Sequence, residues 1–499
     1  MRVLHLVFWP VLLLPAAWWG WHALHAPPAG LVLENGARLA WVDCWFDKPL
    51  WQPLFCARLQ TAPDASAHPQ TYSLPVVYIP KPLRRHSAPP LLYISGGPGG
   101  SSWLGEDDIG FWLDWIGLND WVGDLVLYDQ RGVGLSEPAL DCPEIRATTR
   151  ELLPLPLPSE EAYRRMRVAT RACHDRLLGE GVSLDRLTTR HNAADAIDLL
   201  RAMGLQQADV YAVSYGTRVA LEMMRTAPQQ IRAAVLDSPY PPEVNSELSD
   251  AWLLQRVLDL FARICDLADE CAESADDLRE DLARAFERVQ REGIKLSVRA
   301  PDTAADLAVV YDRDDFAWLL FEAMYQWNVI PELPPSVRAL ADGRLDSQMR
   351  ELIHDSVVSM LDESISDAVA ASVDCHDGGP VDARDAAREL DRFPGVADIK
   401  RFDWQYHACR FWASGDAGED FRSPVRSAVP SLLLAGEFDP VTPPEWAENA
   451  VRHLPNAQVF VFPAVGHGVL DSHVCAADLT AAFLADPANP VPPACLSRL

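Results

Sequence analysis

The sequence predicts an α/β protein with a mostly parallel sheet and one large helical insertion. Three observations predict it. Short β-branched and aromatic runs alternate with stretches of helical periodicity between Leu91 and Leu236. Several of those runs stop at a glycine-rich or acidic turn. From about Glu243 to Arg422 long amphipathic, acid-rich segments replace the strand signal, which resumes at Ser431.

The elements follow in order. Met1-Arg2 and the uncharged apolar run Val3 to Leu24 have the n-region and h-region of a secretory signal. The run is long enough to cross a bilayer, which takes roughly 20 residues, so an uncleaved anchor is the alternative. Leu31 to Pro80 reads as antiparallel strands, and the Pro-rich stretch Lys81 to Pro90 as a connector. Leu91-Leu92-Tyr93-Ile94 is a compact buried strand running into Ser95-Gly96-Gly97-Pro98-Gly99-Gly100-Ser101-Ser102. So many glycines at a strand end suit backbone N–H groups turned toward an anion. A second strand, Asp124 to Tyr128, ends in Asp129-Gln130-Arg131-Gly132-Val133-Gly134. There Asp129 and Arg131 are expected to pair and pin the loop, a catalytic role for the pair being the alternative.

Residues 159–204 read as helical. Then Asp209 to Val213 reads as a strand, Ser214 as a sharp turn, and Arg218 to Arg225 as a helix. Strand, serine turn and helix in the pattern Ala212-x-Ser214-x-Gly216 form a nucleophile elbow, with alanine where the first glycine usually stands. Ile231 to Leu236 is the next strand, ending at Asp237-Ser238-Pro239. After the insertion, Ser431 to Ala435 leads into Gly436-Glu437-Phe438-Asp439-Pro440, and Gln458 to Phe462 delivers Gly466-His467-Gly468.

A serine hydroxyl becomes a useful nucleophile when a histidine takes its proton and a carboxylate steadies that histidine. Ser214, Asp439 and His467 are the three residue types, each at a strand end and in that chain order, and they are the candidate triad. Asp237 is the rival acid. His453, His473, His376 and His407 lack a strand-end placement. The oxyanion donors are expected to be the N–H groups of Tyr215 and Gly97. Such chemistry calls for no cofactor and no metal, and the histidines and cysteines show no zinc-ligand spacing.

The chain carries 43 Lys and Arg against 71 Asp and Glu, a net charge of −28, which argues against nucleic-acid partners. Ten cysteines, an even number, fit an oxidising compartment. Short loop closure favours neighbour pairing: Cys44–Cys56, Cys142–Cys173, Cys265–Cys271, Cys375–Cys409 and Cys475–Cys495.

On these residues the chain resembles an exported tripeptidyl-aminopeptidase-like member of the α/β-hydrolase peptidases that include proline iminopeptidase. SGGPGGSS resembles that family's GGPGG oxyanion loop, DQRGVGLS its DxRGxGxS segment, AVSYGTR its GxSYGT elbow, and GEFDPVTPP with GHG its acid and base motifs. The insertion matches only loosely, through Asp374-Cys375 and Cys409-Arg410-Phe411-Trp412. Ser95 stands where many relatives have histidine, and Ala212 where they have glycine.

The resemblance implies an α/β-hydrolase fold divided into a signal or anchor (1–26), a first core part (27–242), a helical cap (243–422) and a second core part (423–499). It implies an exported serine aminopeptidase, periplasmic or secreted, or membrane-anchored if the N-terminal segment stays. Its partners would be peptides with a free N-terminus, held at the α-ammonium by cap carboxylates, with Asp377 and Glu351 as candidates. A monomer is expected. The alternatives are a small-molecule esterase or amidase of the same fold and a non-catalytic binding protein.

Overall fold

The computed structural model describes residues 27–49, 52–63, 70–81, 89–119, 123–264, 275–301, 303, 305–412 and 414–496. The expected signal or anchor, most of the Pro-rich connector and the Cys265–Cys271 pair lie outside the described residues.

Among the described residues, nine strands form one sheet in the order β1-β2-β3-β5-β4-β6-β7-β10-β11. Three strands, β1 (Arg38–Val42), β2 (Phe55–Gln60) and β3 (Ser73–Ile79), pair antiparallel, and β3 joins β5 (Leu125–Tyr128) antiparallel. From there every pairing is parallel, through β4 (Leu91–Ile94), β6 (Ala208–Val213), β7 (Ile231–Asp237), β10 (Ser431–Gly436) and β11 (Ala457–Phe462).

The near-continuous apolar strands have their cause in this arrangement. Leu92, Ile94, Val126 and Tyr128 enter the core on one face, while Leu91, Tyr93, Leu125 and Leu127 enter the core on the other. A strand covered on both faces favours apolar side chains at nearly every position. Helices Thr189–Ala202 and Tyr215–Thr226 pack on the first face, and Ile109–Leu118 and Val474–Ala485 on the second.

Between β7 and β10 lies a run of helices from Ser246–Phe261 to Ala397–Tyr406. It is not wholly helical. Ile294–Arg299 (β8) and Asp306–Tyr311 (β9) form a separate antiparallel pair. Their half-buried alternation was masked in the sequence by the charged helices on either side. Among the described residues no helix is long and apolar enough to cross a membrane.

Four disulfides close within the described residues: Cys44–Cys56, Cys142–Cys173, Cys375–Cys409 and Cys475–Cys495. The third lies inside the insertion.

Candidate active site

The C-terminal ends of parallel strands present their loops on one side of the sheet, where α/β proteins place ligands. Ser214 sits on such an end. Its φ of 56° and ψ of −127° are unusual for a residue with a side chain, the strained turn expected of an elbow. Gly216 explains the tightness of the turn: a Cβ there would lie 2.3 Å from the Ile94 carbonyl oxygen and 2.8 Å from that of Ser95. Gly96 also passes close to Ser214, since a Cβ there would lie 3.0 Å from the serine Cβ. The alanine at 212 is fully buried in β6.

The β10 end carries Asp439, which is completely buried. Its Oδ1 accepts the N–H groups of Val441 and Thr442 at 3.0 and 2.8 Å. Its Oδ2 accepts the Thr442 hydroxyl at 2.7 Å and lies 2.8 Å from Nδ1 of His467. With its acceptor sites filled in this way, the carboxylate fixes the imidazole with Nδ1 as donor and leaves Nε2 as acceptor. Burial opposes the Asp439 charge, but the His467 imidazole and the Thr442 hydrogen bonds outweigh it and hold the carboxyl below its ordinary range. Burial likewise opposes the imidazolium. The Asp439 carboxylate, by charge and hydrogen bond, and Asp237 more weakly, outweigh that burial and raise the His467 pKa.

Asp237, the rival acid, does a different job. It is fully buried, and its Oδ1 and Oδ2 accept the N–H groups of Val469 and Leu470 at 2.8 and 2.9 Å. Its own carbonyl accepts the Ser214 N–H at 2.9 Å, and the neighbouring Ser238 Oγ accepts the Gly468 N–H at 3.0 Å. The end of β7 therefore ties the serine turn and the histidine loop to one anchor. Burial pushes the Asp237 carboxyl up to about 6.

The glycine loop after β4 is braced in turn. Ser95 Oγ donates to the Gly100 carbonyl at 2.9 Å, and the Gln130 amide donates to Ser95 O at 3.0 Å and to Ser95 Oγ at 3.2 Å. The serine that stands in place of histidine thus still holds the loop. Gly97 has a φ of 114°. Among the described residues, neither the Gly97 N–H nor the Tyr215 N–H finds a protein acceptor. The Tyr215 side chain is locked below them, its hydroxyl accepting from Thr189 Oγ1 at 2.9 Å and Asn192 Nδ2 at 3.0 Å.

Asp129 and Arg131 do not pair with each other. The turn through Gly132 (φ 74°) and Gly134 (φ 53°) folds the chain back over Asp129. Its oxygens then accept the N–H groups of Ser102 at 2.7 Å and Leu135 at 2.8 Å. Arg131 makes a two-pronged bond to Asp195 at 2.8 and 2.7 Å. Each still pins the loop, through different partners.

Of the two carboxylates considered for an amine, Glu351 lies exposed on the helix Ser347–Met360. Asp377 is 1% exposed, with Oδ1 2.8 Å from His376 Nδ1 and Oδ2 without a hydrogen-bond partner. A cavity of about 420 Å³ is lined instead by Trp318, Phe321, Glu322, Tyr325, Ser356 and Ile365, with others. The Tyr325 ring stands edge-on to His467 at 5.1 Å between centroids. Burial raises the Glu322 pKa against a Ser356 hydrogen bond, and Glu322 Oε2 is buried with no hydrogen-bond partner. In the sequence Glu322 has the signature of a solvated helix face. Only its neighbours Trp318, Phe321 and Tyr325, spaced along one helix stripe, hinted otherwise.

This sheet, elbow and strand-end loop set define an α/β-hydrolase-fold protein. A family model described as "alpha/beta hydrolase fold" matches residues 89–309, and one described as "TAP-like protein" matches residues 399–495. The putative hydrolase YuaR of Escherichia coli (strain K12) is 25% identical over 445 residues, covering 82% of this chain and 83% of its own. Serine protease Hip1 of Mycobacterium tuberculosis (strain ATCC 25618 / H37Rv) is 23% identical over 371 residues, covering 70% and 69%. Among solved structures, a proline iminopeptidase-related protein from Thermus thermophilus matches with a TM-score of 0.36 and 20% identity, over 84% of this chain and 96% of that one.

Proposed function

We infer that the protein is an exported serine aminopeptidase working through an acyl-enzyme on Ser214. Ser214 Oγ attacks the scissile carbonyl while His467 Nε2 takes its proton, and Asp439 stabilises the imidazolium. The N–H groups of Tyr215 and Gly97 receive the oxyanion. The imidazolium then gives its proton to the leaving amine, and water repeats the sequence to free the acyl group.

The single observation that carries the peptidase reading over an esterase is Glu322. A half-buried carboxylate whose Oε2 is buried and unpaired, lining an aromatic-walled cavity that also contains Tyr325 beside His467, suits the α-ammonium of a peptide N-terminus. Neither Asp377 nor Glu351 lines that cavity. The name of the relative Hip1, a serine protease, supports the same class. Four disulfides support export.

A fluorogenic panel of free and N-acetylated aminoacyl, dipeptidyl and tripeptidyl amides, with short-chain esters alongside, tests the reading. Turnover confined to free N-termini is expected. Equal turnover of blocked and free peptides would remove the aminopeptidase assignment, and turnover of esters alone would favour the small-molecule reading.

A further inference from the structure

Two loops that bear the proposed chemistry are bonded, backbone to backbone, to the insertion. At the first joint the oxyanion loop takes a strand-like partner from residues 364–366. The Ser101 N–H donates to Ser364 O at 3.0 Å, the Ser366 N–H donates to Gly99 O at 2.9 Å, and Gly100 faces Ile365 in an antiparallel bridge. The approach is so close that a Cβ on Gly99 would lie 2.5 Å from Ser366 O. Ser366 also starts the helix Asp367–Asp377, where its side chain accepts the Val369 N–H, and its hydroxyl donates to Leu140 O beyond the loop.

At the second joint the histidine loop is held by the insertion's Met324 and Tyr325. The His467 N–H donates to Tyr325 O at 3.0 Å, and a Cβ on Gly466 would lie 2.2 Å from Met324 O. Ile365 from the first joint and Tyr325 from the second both line the 420 Å³ cavity.

We propose that the insertion is a fixed part of the catalytic frame, in which Ser364 and Ser366 position the oxyanion loop and Tyr325 positions the base. This rests on the reading of Ser214, His467 and Gly97 given above. A cap that only selected substrate would touch the sheet domain through side chains at its rim. Here main-chain bonds end on the loops whose sub-ångström placement sets the rate. Loosening the first joint then lowers kcat for every acyl substrate, including esters too small to fill the cavity.

The test compares Ser366→Pro with Ser366→Ala in the full chain. Both lose the hydroxyl, but only proline also removes the N–H that donates to Gly99 O. The native φ of −86° lies about 20° from the value a proline ring imposes, so a small backbone adjustment admits it. Expected is a kcat about 10²-fold lower for S366P than for S366A, on p-nitrophenyl acetate and on a free tripeptidyl amide alike, with KM within about a factor of two. Equal kcat in the two variants, or a change confined to KM, overturns the proposal. In the wild-type protein the Ser101 and Ser366 amides should exchange as slowly as the core of the adjoining helix Asp367–Asp377, and much faster exchange overturns the proposal without any variant. Capture of wild-type Ser214 by a fluorophosphonate tests the parent reading separately, so failure there is distinguishable from failure of the joint.

Discussion

In the proposed mechanism His467 takes the Ser214 proton only as neutral imidazole. Asp439 and Asp237 together raise its pKa against the effect of burial. The acid limb of kcat/KM is therefore expected above the ordinary histidine value of about 6.5, with activity rising as pH climbs through that raised pKa. Asp439→Asn removes the charge that lifts it and the acceptor that sets its tautomer. The limb should move to lower pH and kcat should fall about 10⁴-fold, and a pH–rate series on both proteins checks the two effects together. At Glu322 the expectation is selective. Glu322→Gln should cost roughly 3 kcal/mol, or about 10²-fold in kcat/KM, for substrates with a free α-amine. N-acetylated esters should be unaffected, and steady-state kinetics on matched pairs measures the ratio.

Elements depend on a few close approaches. The helix Tyr215–Thr226 can lie against β4 only because Gly216 lacks a side chain. Gly216→Ala drives a methyl group into two backbone carbonyls that have no rotamer with which to retreat. A loss of about 1–3 kcal/mol or more is expected in urea unfolding, with lowered activity because Ser214 lies two residues away. The strands themselves were legible in the sequence: β4, β5, β6 and β10 are buried on both faces, and such strands read as unbroken apolar runs. The pair β8 and β9 was not, because a half-buried hairpin between charged helices offers only a weak period-two signal. Nor could partners be read for Asp129 and Arg131. Gly132 and Gly134 announce the turn, but its partners, Ser102 and Leu135 for Asp129 and Asp195 for Arg131, are set by the fold.

At the scale of the molecule, the disulfides and the insertion joints hold separate stretches of chain together. Cys142 and Cys173 are both fully buried and close a loop with a sequence separation of 31. Replacing both with alanine should lower the unfolding free energy by about 3–4 kcal/mol, from the freedom returned to the unfolded chain, as read by urea titration under oxidising conditions. The sequence by itself determined the alternation of strand and helix, the serine turn, the acid and histidine at later strand ends, and the place where the sheet is interrupted. Those features are local, so composition, period and turn chemistry express them directly. Only the tertiary structure decided that Asp439 rather than Asp237 meets His467, that Glu322 lines a cavity while one of its oxygens stays buried and unpaired, and that the insertion is bonded to the loops carrying Gly99 and His467. These depend on contacts between residues far apart in the chain, and no short-range pattern encodes which of several carboxylates a fold will bring to a given imidazole or ammonium.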